Sequence, residues 1–146
     1  MNVTVRKIMD HEIEMALALV WEIFGEYEAP DYSEQGVKEF YKSIHEPEWI
    51  SALQVYGAFD EDKLVGVLAT RNNGKHIALF FVKGAYHKRG IGRTLFEHFL
   101  KECPAGVITV NSSPYAVPVY HKLGFIDTDK EQTSNGIRYI PMKRNL

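Results

Sequence analysis

The sequence is poor in cysteine and in excess charge. Its 146 residues include a single cysteine, Cys103, so an internal disulfide and a zinc site built from cysteines are excluded. Lys and Arg number 17 against 19 Asp and Glu, which gives a formal net charge of -2. Such a balance provides no overall basic field of the kind that draws proteins to nucleic acid, and we expect no nucleic-acid partner.

Long apolar runs are also missing. No stretch approaches the ~20 apolar residues of a membrane span, and residues 1–10 mix charged and polar side chains with valines, unlike a signal peptide. The six histidines show no ligand spacing, so we expect no metal. The length and the 45% of hydrophobic residues predict one domain over residues 1–146 with a sizeable core. We expect a cytoplasmic protein without a membrane partner.

The hydrophobic pattern changes period along the chain and predicts a mixed α/β protein. Two helices follow a first strand, three strands with short turns form a meander, and helices then alternate with strands. The first part is predicted to contain a strand over 3–9, a helix capped by Asp10 and ended by Gly25 or the turn over 28–30, and a helix capped by Ser33 that ends before Pro47. The meander has strands over 55–59, 64–70 and 77–82, and a helix through 95–100, ended by Cys103, Pro104 and Gly106, follows it. The last part has a strand over 107–110, a short helix over 116–122, and strands over 125–127 and 137–142 joined by a polar turn over 129–136.

The most informative stretch is an apolar strand over 79–82 that leads into a basic loop with two glycines, His87–Gly92, here called the glycine loop. A helix follows at once. A helix N-terminus offers unpaired N–H groups and a positive dipole end, and glycines let a phosphate approach the backbone. Lys88, Arg89 and Arg93 add positive charge. The segment is typical of a polyphosphate site; the alternative is an ordinary helix N-terminus with solvated cations.

Motifs of other enzyme classes do not fit. A Walker loop needs Gly-Lys-Ser/Thr after four residues, and a dinucleotide fingerprint needs a third glycine where Leu95 stands. The segment His11–Met15 lacks the second histidine of a zinc protease, and the chain contains no Gly-x-Ser-x-Gly. These absences leave the glycine loop as the main functional signal.

The glycine loop resembles the Gln/Arg-x-x-Gly-x-Gly/Ala loop of the GCN5-related N-acetyltransferases (GNAT family), with His87 in place of Gln or Arg. A second segment, Val107–Asn111 followed by Tyr120–Phe125, resembles that family's later strand, helix and Tyr-x-x-x-Gly-Phe ending. The resemblance implies an α/β fold with a mixed, mostly antiparallel sheet and helices on both faces. Its central parallel strand pair would splay around the acetyl-CoA site, and the crossover between those strands is right-handed by default.

The resemblance also implies a cofactor site for acetyl-CoA, the acyl donor. The pyrophosphate would lie on backbone N–H groups of residues 88–94, and Val82 would contact the pantetheine arm. Asn111 is also assigned to the cofactor, and the alternative for this residue is a role in forming a turn. The implied cofactor-binding residues are Phe81, Val82, His87, Lys88, Arg89, Gly90, Ile91, Gly92, Arg93, Thr94, Asn111 and Tyr120.

Two catalytic residues are candidates. Tyr120 matches the family tyrosine that protonates the leaving thiolate, and a phenol with a reference pKa of about 10 is protonated at neutral pH. The alternative is a packing role for Tyr120 on the sheet. His76 stands where some family members carry a glutamate base, and imidazole can accept a proton near pH 6.5. The alternative there is a solvent-facing histidine at the start of a strand.

The resemblance implies an acceptor site beside the loop after the first helix. Carboxylates next to aromatic rings suit a cationic amine, which points to Tyr27, Glu28 and Tyr32 as substrate-binding residues. A solvated loop is the alternative. Phe80 and Phe81 point to opposite faces of their strand, and one of them is expected to line the acyl pocket, with Phe80 assigned to the substrate.

The sequence thus predicts an N-acetyltransferase in which a primary amine attacks the thioester of acetyl-CoA directly. Two alternatives stay open: a non-catalytic acyl-CoA sensor, and an acetyltransferase that modifies a protein N-terminus or lysine. The expected partners are a small amine or peptide acceptor and a second copy of the chain in a homodimer.

Overall fold

The computed structural model describes residues 2–103 and 106–146. The helices are α1 (Ile13–Tyr27), α2 (Glu34–Ser43), α3 (Pro47–Ser51), α4 (Ile91–Glu102) and α5 (Val117–Lys122), with short 3-10 turns at Asp10–Glu12, Ala29–Asp31 and Gly84–Tyr86. The strands are β1 (Val3–Lys7), β2 (Gln54–Asp60), β3 (Lys63–Arg71), β4 (His76–Val82), β5 (Val107–Ser112), β6 (Ile126–Asp127), β7 (Gln132–Ser134) and β8 (Ile137–Asn145).

The eight strands form one mixed sheet in the order β1-β2-β3-β4-β5-β8-β6, and β7 pairs with β8. The pairs are antiparallel except for β4 and β5, which run parallel. This arrangement confirms the predicted fold class.

Helices cover both faces of the sheet and divide the buried side chains into two clusters. One cluster joins α4 and α5 to one face through Leu95, Phe96 and Tyr120. The other joins α1 to the opposite face through Val20 and Phe24, with α2 packed against it. The expected core therefore has two parts, because a sheet buried on both sides separates its inward-facing residues by alternation.

The central parallel pair is short. Only His76 with Thr109 and Ile77 with Val110 are paired across β4 and β5. The register between β3 and β4 then shifts and skips Ala78, which marks a β-bulge. Beyond it β4 and β5 diverge, and this is the splayed pair that the family resemblance implies.

Two helix starts show how local hydrogen bonding sets an element's bounds. The prediction that Asp10 caps α1 is wrong. The Glu12 carboxylate accepts from Met9 N–H at 2.9 Å and pairs with Arg6 at 2.7 Å, so the chain makes a 3-10 turn before α1 begins at Ile13. Ser33 does cap α2, since its Oγ accepts from Gly36 N–H at 3.2 Å.

Three further details differ from the expectation or lie outside the description. The segment predicted as a polar turn contains β7, which forms a hairpin with β8 because Asn135 and Gly136 both have the positive φ of a tight turn. The short helix α3 was not predicted. Pro104, expected to end α4, lies outside the described residues. Within the residues that the structure describes, no helix is long and apolar enough to cross a bilayer.

Candidate active site

A cleft of about 310 Å³ opens where β4 and β5 diverge. Its walls come from the end of α1, the end of β4, the glycine loop and the segment around α5. The predicted site residues that line it are Tyr27, Glu28, Phe80, Phe81, Val82, His87, Lys88, Gly90, Ile91, Gly92 and Tyr120. The predicted residues that do not line it are Tyr32, His76, Arg89, Arg93, Thr94 and Asn111. Further lining residues, not predicted, are Ile23, Tyr86, Tyr115, Ala116, Val119 and Lys122.

The glycine loop turns sharply into α4. Lys88 and Gly90 both have positive φ, +62° and +80°. The first backbone bond of α4 runs from Thr94 N–H to the Gly90 carbonyl at 3.0 Å, so the N–H groups of residues 91–93 precede the helical ladder and have no partner within it. These N–H groups, together with the dipole of α4, form an anion-binding end to the cleft.

Gly92 keeps that end of the cleft accessible. A Cβ built on Gly92 would lie 3.6 Å from the Phe80 ring and 3.8 Å from the Val82 side chain. These are ordinary contact distances, so the fold itself does not require a glycine here. The absent side chain instead leaves room beside the backbone, as close approach of a phosphate needs.

The cations of this region have different roles. Lys88 and Lys122 line the cleft. Arg93 reaches toward α5, where its Nη2 donates to the Lys122 carbonyl at 3.2 Å. The guanidinium of Arg89 lies 5.6 Å from the Tyr86 ring centroid. Thr94 stabilises the loop, since its hydroxyl donates to the Gly90 carbonyl at 2.9 Å.

His87 ties the glycine loop to the end of β4. Its Nε2 lies 2.6 Å from the Val82 carbonyl oxygen. Because a carbonyl only accepts, Nε2 carries the proton. The ring also contacts Tyr27 at a centroid distance of 5.0 Å. The residue that replaces the family's Gln or Arg therefore holds the loop in place through the backbone of β4.

Tyr120 is buried at the inner end of the cleft, with 5% of its surface exposed. Its ring meets Phe80 and Phe125 edge to face, at 5.9 and 5.4 Å. Gly124, with φ of +92°, lets the chain fold back so that Phe125 N–H donates to the Tyr120 carbonyl at 3.0 Å. Burial and the nearby Glu28 carboxyl raise the pKa of Tyr120 above its usual value, so its phenol stays protonated.

Glu28 follows the last residue of α1, and its carboxyl lies close enough to Tyr120 to affect the pKa of that phenol. Burial, with a smaller contribution from Asp31, raises the pKa of its carboxyl to about 7 although a hydrogen bond from Ser113 lowers it. The negative end of the α1 dipole also disfavours a carboxylate here. Glu28 is thus an acid with a pKa near neutrality inside the cleft.

Aromatic rings flank Glu28. Tyr27 and Tyr115 contact each other at a centroid distance of 5.5 Å, and both line the cleft. Tyr32 packs behind them against Phe24, at 5.3 Å, and burial raises its pKa. Tyr115 is a residue that sequence reasoning missed, because it lies in a short segment without a periodic pattern.

His76 and Asn111 lie away from the cleft. His76 is at the start of β4, where the parallel pair is still joined, and its Nδ1 is 2.7 Å from the Thr109 hydroxyl. Burial, and the charge of Arg71 next, lower the pKa of His76 to about 4. Asn111 is exposed, one residue beyond the buried Val110 and so on the other face of β5.

Comparison with solved structures finds the same fold. The structure of a GCN5-related N-acetyltransferase from Rhodopseudomonas palustris is 20% identical, with a TM-score of 0.84 over 100% of this chain and 97% of that one. The PaiA N-acetyltransferase from Thermoplasma acidophilum, solved in complex with coenzyme A, is 20% identical with a TM-score of 0.79 and full coverage of both chains. A comparison with curated protein sequences returned no significant match.

The splayed sheet and the helix N-terminus at its open end define the class of protein with the GNAT fold. The sequence model of the acetyltransferase (GNAT) domain matches residues 28–146. Since this match spans most of the chain, the protein belongs to the GNAT acetyltransferase family.

Proposed function

We propose that this protein is an N-acetyltransferase that transfers the acetyl group of acetyl-CoA to a primary amine. The observation that carries the proposal is a single cleft that joins the N-terminus of α4 to the buried phenol of Tyr120. One end suits an anionic phosphate group, and the other provides a proton donor. The coenzyme A complex of the PaiA N-acetyltransferase, which shares the fold, supports the choice of donor.

In this proposal the N–H groups of residues 91–93 bind the pyrophosphate, with Lys88 and Lys122 nearby to balance its charge. The backbone of Val82 binds the pantetheine arm in the gap between β4 and β5. Phe80 lies against Tyr120 and closes the acyl end of the cleft. Arg89, Arg93, Thr94 and Asn111, also predicted to bind the cofactor, lie outside the lining. Thr94 donates to the Gly90 carbonyl of the loop, and Arg93 donates to the Lys122 carbonyl of α5.

The chemistry is direct attack of the acceptor nitrogen on the thioester carbonyl. Tyr120 donates its proton to the departing sulfur, for which a phenol that stays neutral is suited. His76 was predicted as the base, but its ring lies outside the cleft lining and contacts Thr109. The proposal therefore gives His76 no part in proton transfer.

Calorimetric titration of acetyl-CoA into the protein tests the donor site. We expect micromolar binding that weakens when the pyrophosphate is removed, as in a pantetheine-only analogue. An absence of binding at millimolar acetyl-CoA would contradict the proposal. Binding without acetyl transfer to small amines, peptide N-termini or peptide lysines would instead favour a sensor. Transfer to peptides alone would identify a protein acceptor.

A further inference from the structure

Glu28 is the acidic residue among those that line the cleft, whose basic lining residues are His87, Lys88 and Lys122. Ser113 donates a hydrogen bond to its carboxyl, and Asp31 is the charge that acts on it. Arg138, a basic residue of β8, donates to the Asp31 carbonyl at 3.0 Å and pairs with Glu131 at 3.0 Å. The other titratable groups on the elements around Glu28 are Glu26, Tyr27, Tyr32, Tyr86, His87, Lys88, Tyr115, Tyr120 and Lys122.

Ser113 is placed to orient that carboxyl. The residue is buried, with 8% of its surface exposed. Its Oγ accepts from Ala116 N–H at 3.2 Å, in the turn that leads to α5. A hydroxyl can accept and donate at the same time, and an ionised carboxylate only accepts, so Ser113 donates its proton to Glu28. The bond links the end of α1 to the segment that carries Tyr120.

We propose that Glu28 is a catalytic residue that removes a proton from the acceptor amine, and that Ser113 is a positioning residue for its carboxylate. The inference rests on the proposed acetyltransferase function and identifies its acceptor as an amine that arrives as a cation. An alkylammonium fits a carboxyl flanked by tyrosine rings, through charge and cation–π attraction. The pKa near neutrality suits a general base.

The acceptor arrives as R–NH₃⁺, and Glu28 carboxylate takes one proton to give R–NH₂. The nitrogen forms a bond to the acetyl carbon, and the carbon–sulfur bond breaks. Tyr120 gives its proton to the sulfur and regains one from the attacking nitrogen. The products are the amide and the free thiol, and Glu28 releases its proton to solvent.

The test compares Glu28→Gln with Glu26→Gln, a change to an exposed carboxylate two residues earlier, in α1. Turnover is followed by thiol release with a panel of alkylamines and lysine-containing peptides. We expect Glu28→Gln to lower kcat by about 10²- to 10⁴-fold, to bind acetyl-CoA normally, and to lose the acidic limb that the wild-type pH profile shows near pH 7. Glu26→Gln should keep both.

The Ser113→Ala variant tests the positioning role through the pH of the acidic limb, which a purely structural role of Ser113 would not shift. Because the hydrogen bond lowers the pKa of Glu28, its loss should move the acidic limb to higher pH, and Ser113→Thr should restore it. Carbon NMR of labelled glutamate carboxyls supplies a measurement that needs no acceptor: one signal should titrate near pH 7 and be missing in Glu28→Gln.

Distinct outcomes separate this inference from the proposed function. An active wild type whose Glu28→Gln variant keeps the wild-type rate and pH profile overturns the role of Glu28 and leaves the acetyltransferase standing. Titration of Glu28 below pH 5 also overturns it. A wild type that does not bind acetyl-CoA overturns the proposed function first.

Discussion

At the scale of single residues, His76 and Glu28 should change stability with pH in opposite directions. The folded pKa of His76, about 4, lies below its ordinary value, so its contribution is complete above about pH 6.5 and is lost as the pH falls through 4. The folded pKa of Glu28, about 7, lies above its ordinary value, so its contribution is complete below about pH 4.3 and is lost as the pH rises through 7.

The His76→Gln variant isolates the histidine contribution. We expect the wild type to lose about 1 kcal/mol relative to the variant between pH 7.5 and 4.5, a value reduced for partial solvent access. Urea unfolding of both proteins across that range measures it. Parallel pH profiles would contradict the assigned pKa. Full catalytic activity of the variant would agree with the position of His76 outside the cleft.

Tyr120→Phe removes one hydroxyl and keeps the ring that packs on Phe80 and Phe125. We expect kcat to fall by about 10²-fold or more because the thiolate loses its proton donor. Acetyl-CoA affinity and the unfolding midpoint should stay close to wild type. Since the pKa of Tyr120 is raised, the wild-type rate should show no decline from its ionisation below about pH 10. Unchanged turnover at all pH values would remove the acid role.

At the scale of elements, Gly92 in α4 and Gly25 in α1 form a matched pair. Both are helical glycines without a close contact: a Cβ on Gly92 meets its neighbours at 3.6 Å or more, and one on Gly25 meets nothing within 4 Å. Replacement by alanine should therefore stabilise each helix by up to about 1 kcal/mol. Only Gly92→Ala should weaken acetyl-CoA binding, by tenfold or more, because its methyl group enters the phosphate-binding end. Equal calorimetric affinities of the two variants would contradict that role.

The elements also show what sequence reasoning can predict. Strand alternation, the Ser33 cap and the strand-loop-helix unit around Gly90 are local signals, and the structure has each of them. The prediction of where α1 begins was wrong because the start depends on the ion pair between the Glu12 carboxylate and Arg6, which lies on another element. Hairpin β7-β8 was missed although Asn135 and Gly136 are a strong turn signal. The polar residues around that pair led to the prediction of a turn instead of a strand.

The candidate site also contains residues that local sequence patterns identify and residues that only the fold brings together. The loop residues and Tyr120 with its following glycine were predicted from their resemblance to two family motifs, which are local patterns in the sequence. The meeting of Glu28 with Ser113 and Tyr115 could not be predicted in this way, because α1 and the segment before α5 are far apart in sequence and come together only in the folded sheet. The position of His76 outside the cleft lining is likewise a tertiary property, since His76 lies where β4 is still paired with β5.

At the scale of the whole molecule, the sheet consists of two parts joined at its centre. Strands β1 to β4 form one antiparallel part, and β5 to β8 form the other. The paired residues across the parallel seam are His76 with Thr109 and Ile77 with Val110. A ligand in the cleft would contact both parts of the sheet. Val82 belongs to β4 and Gly92 to the crossover that follows it, whereas Tyr120 follows β5 in the second part.

Acetyl-CoA should therefore stabilise the protein and protect the seam in particular. At a concentration one hundred times its Kd, binding to the folded state alone adds about 2.7 kcal/mol, which raises Tm by about 5–10 °C for a chain of this size. Hydrogen exchange should slow most at the amides of β4, β5 and the start of α4, and less in β1 and β2. Exchange that slows uniformly would show that the ligand stabilises the fold without bridging its two parts. Protection confined to the start of α4 would place the ligand outside the gap between β4 and β5.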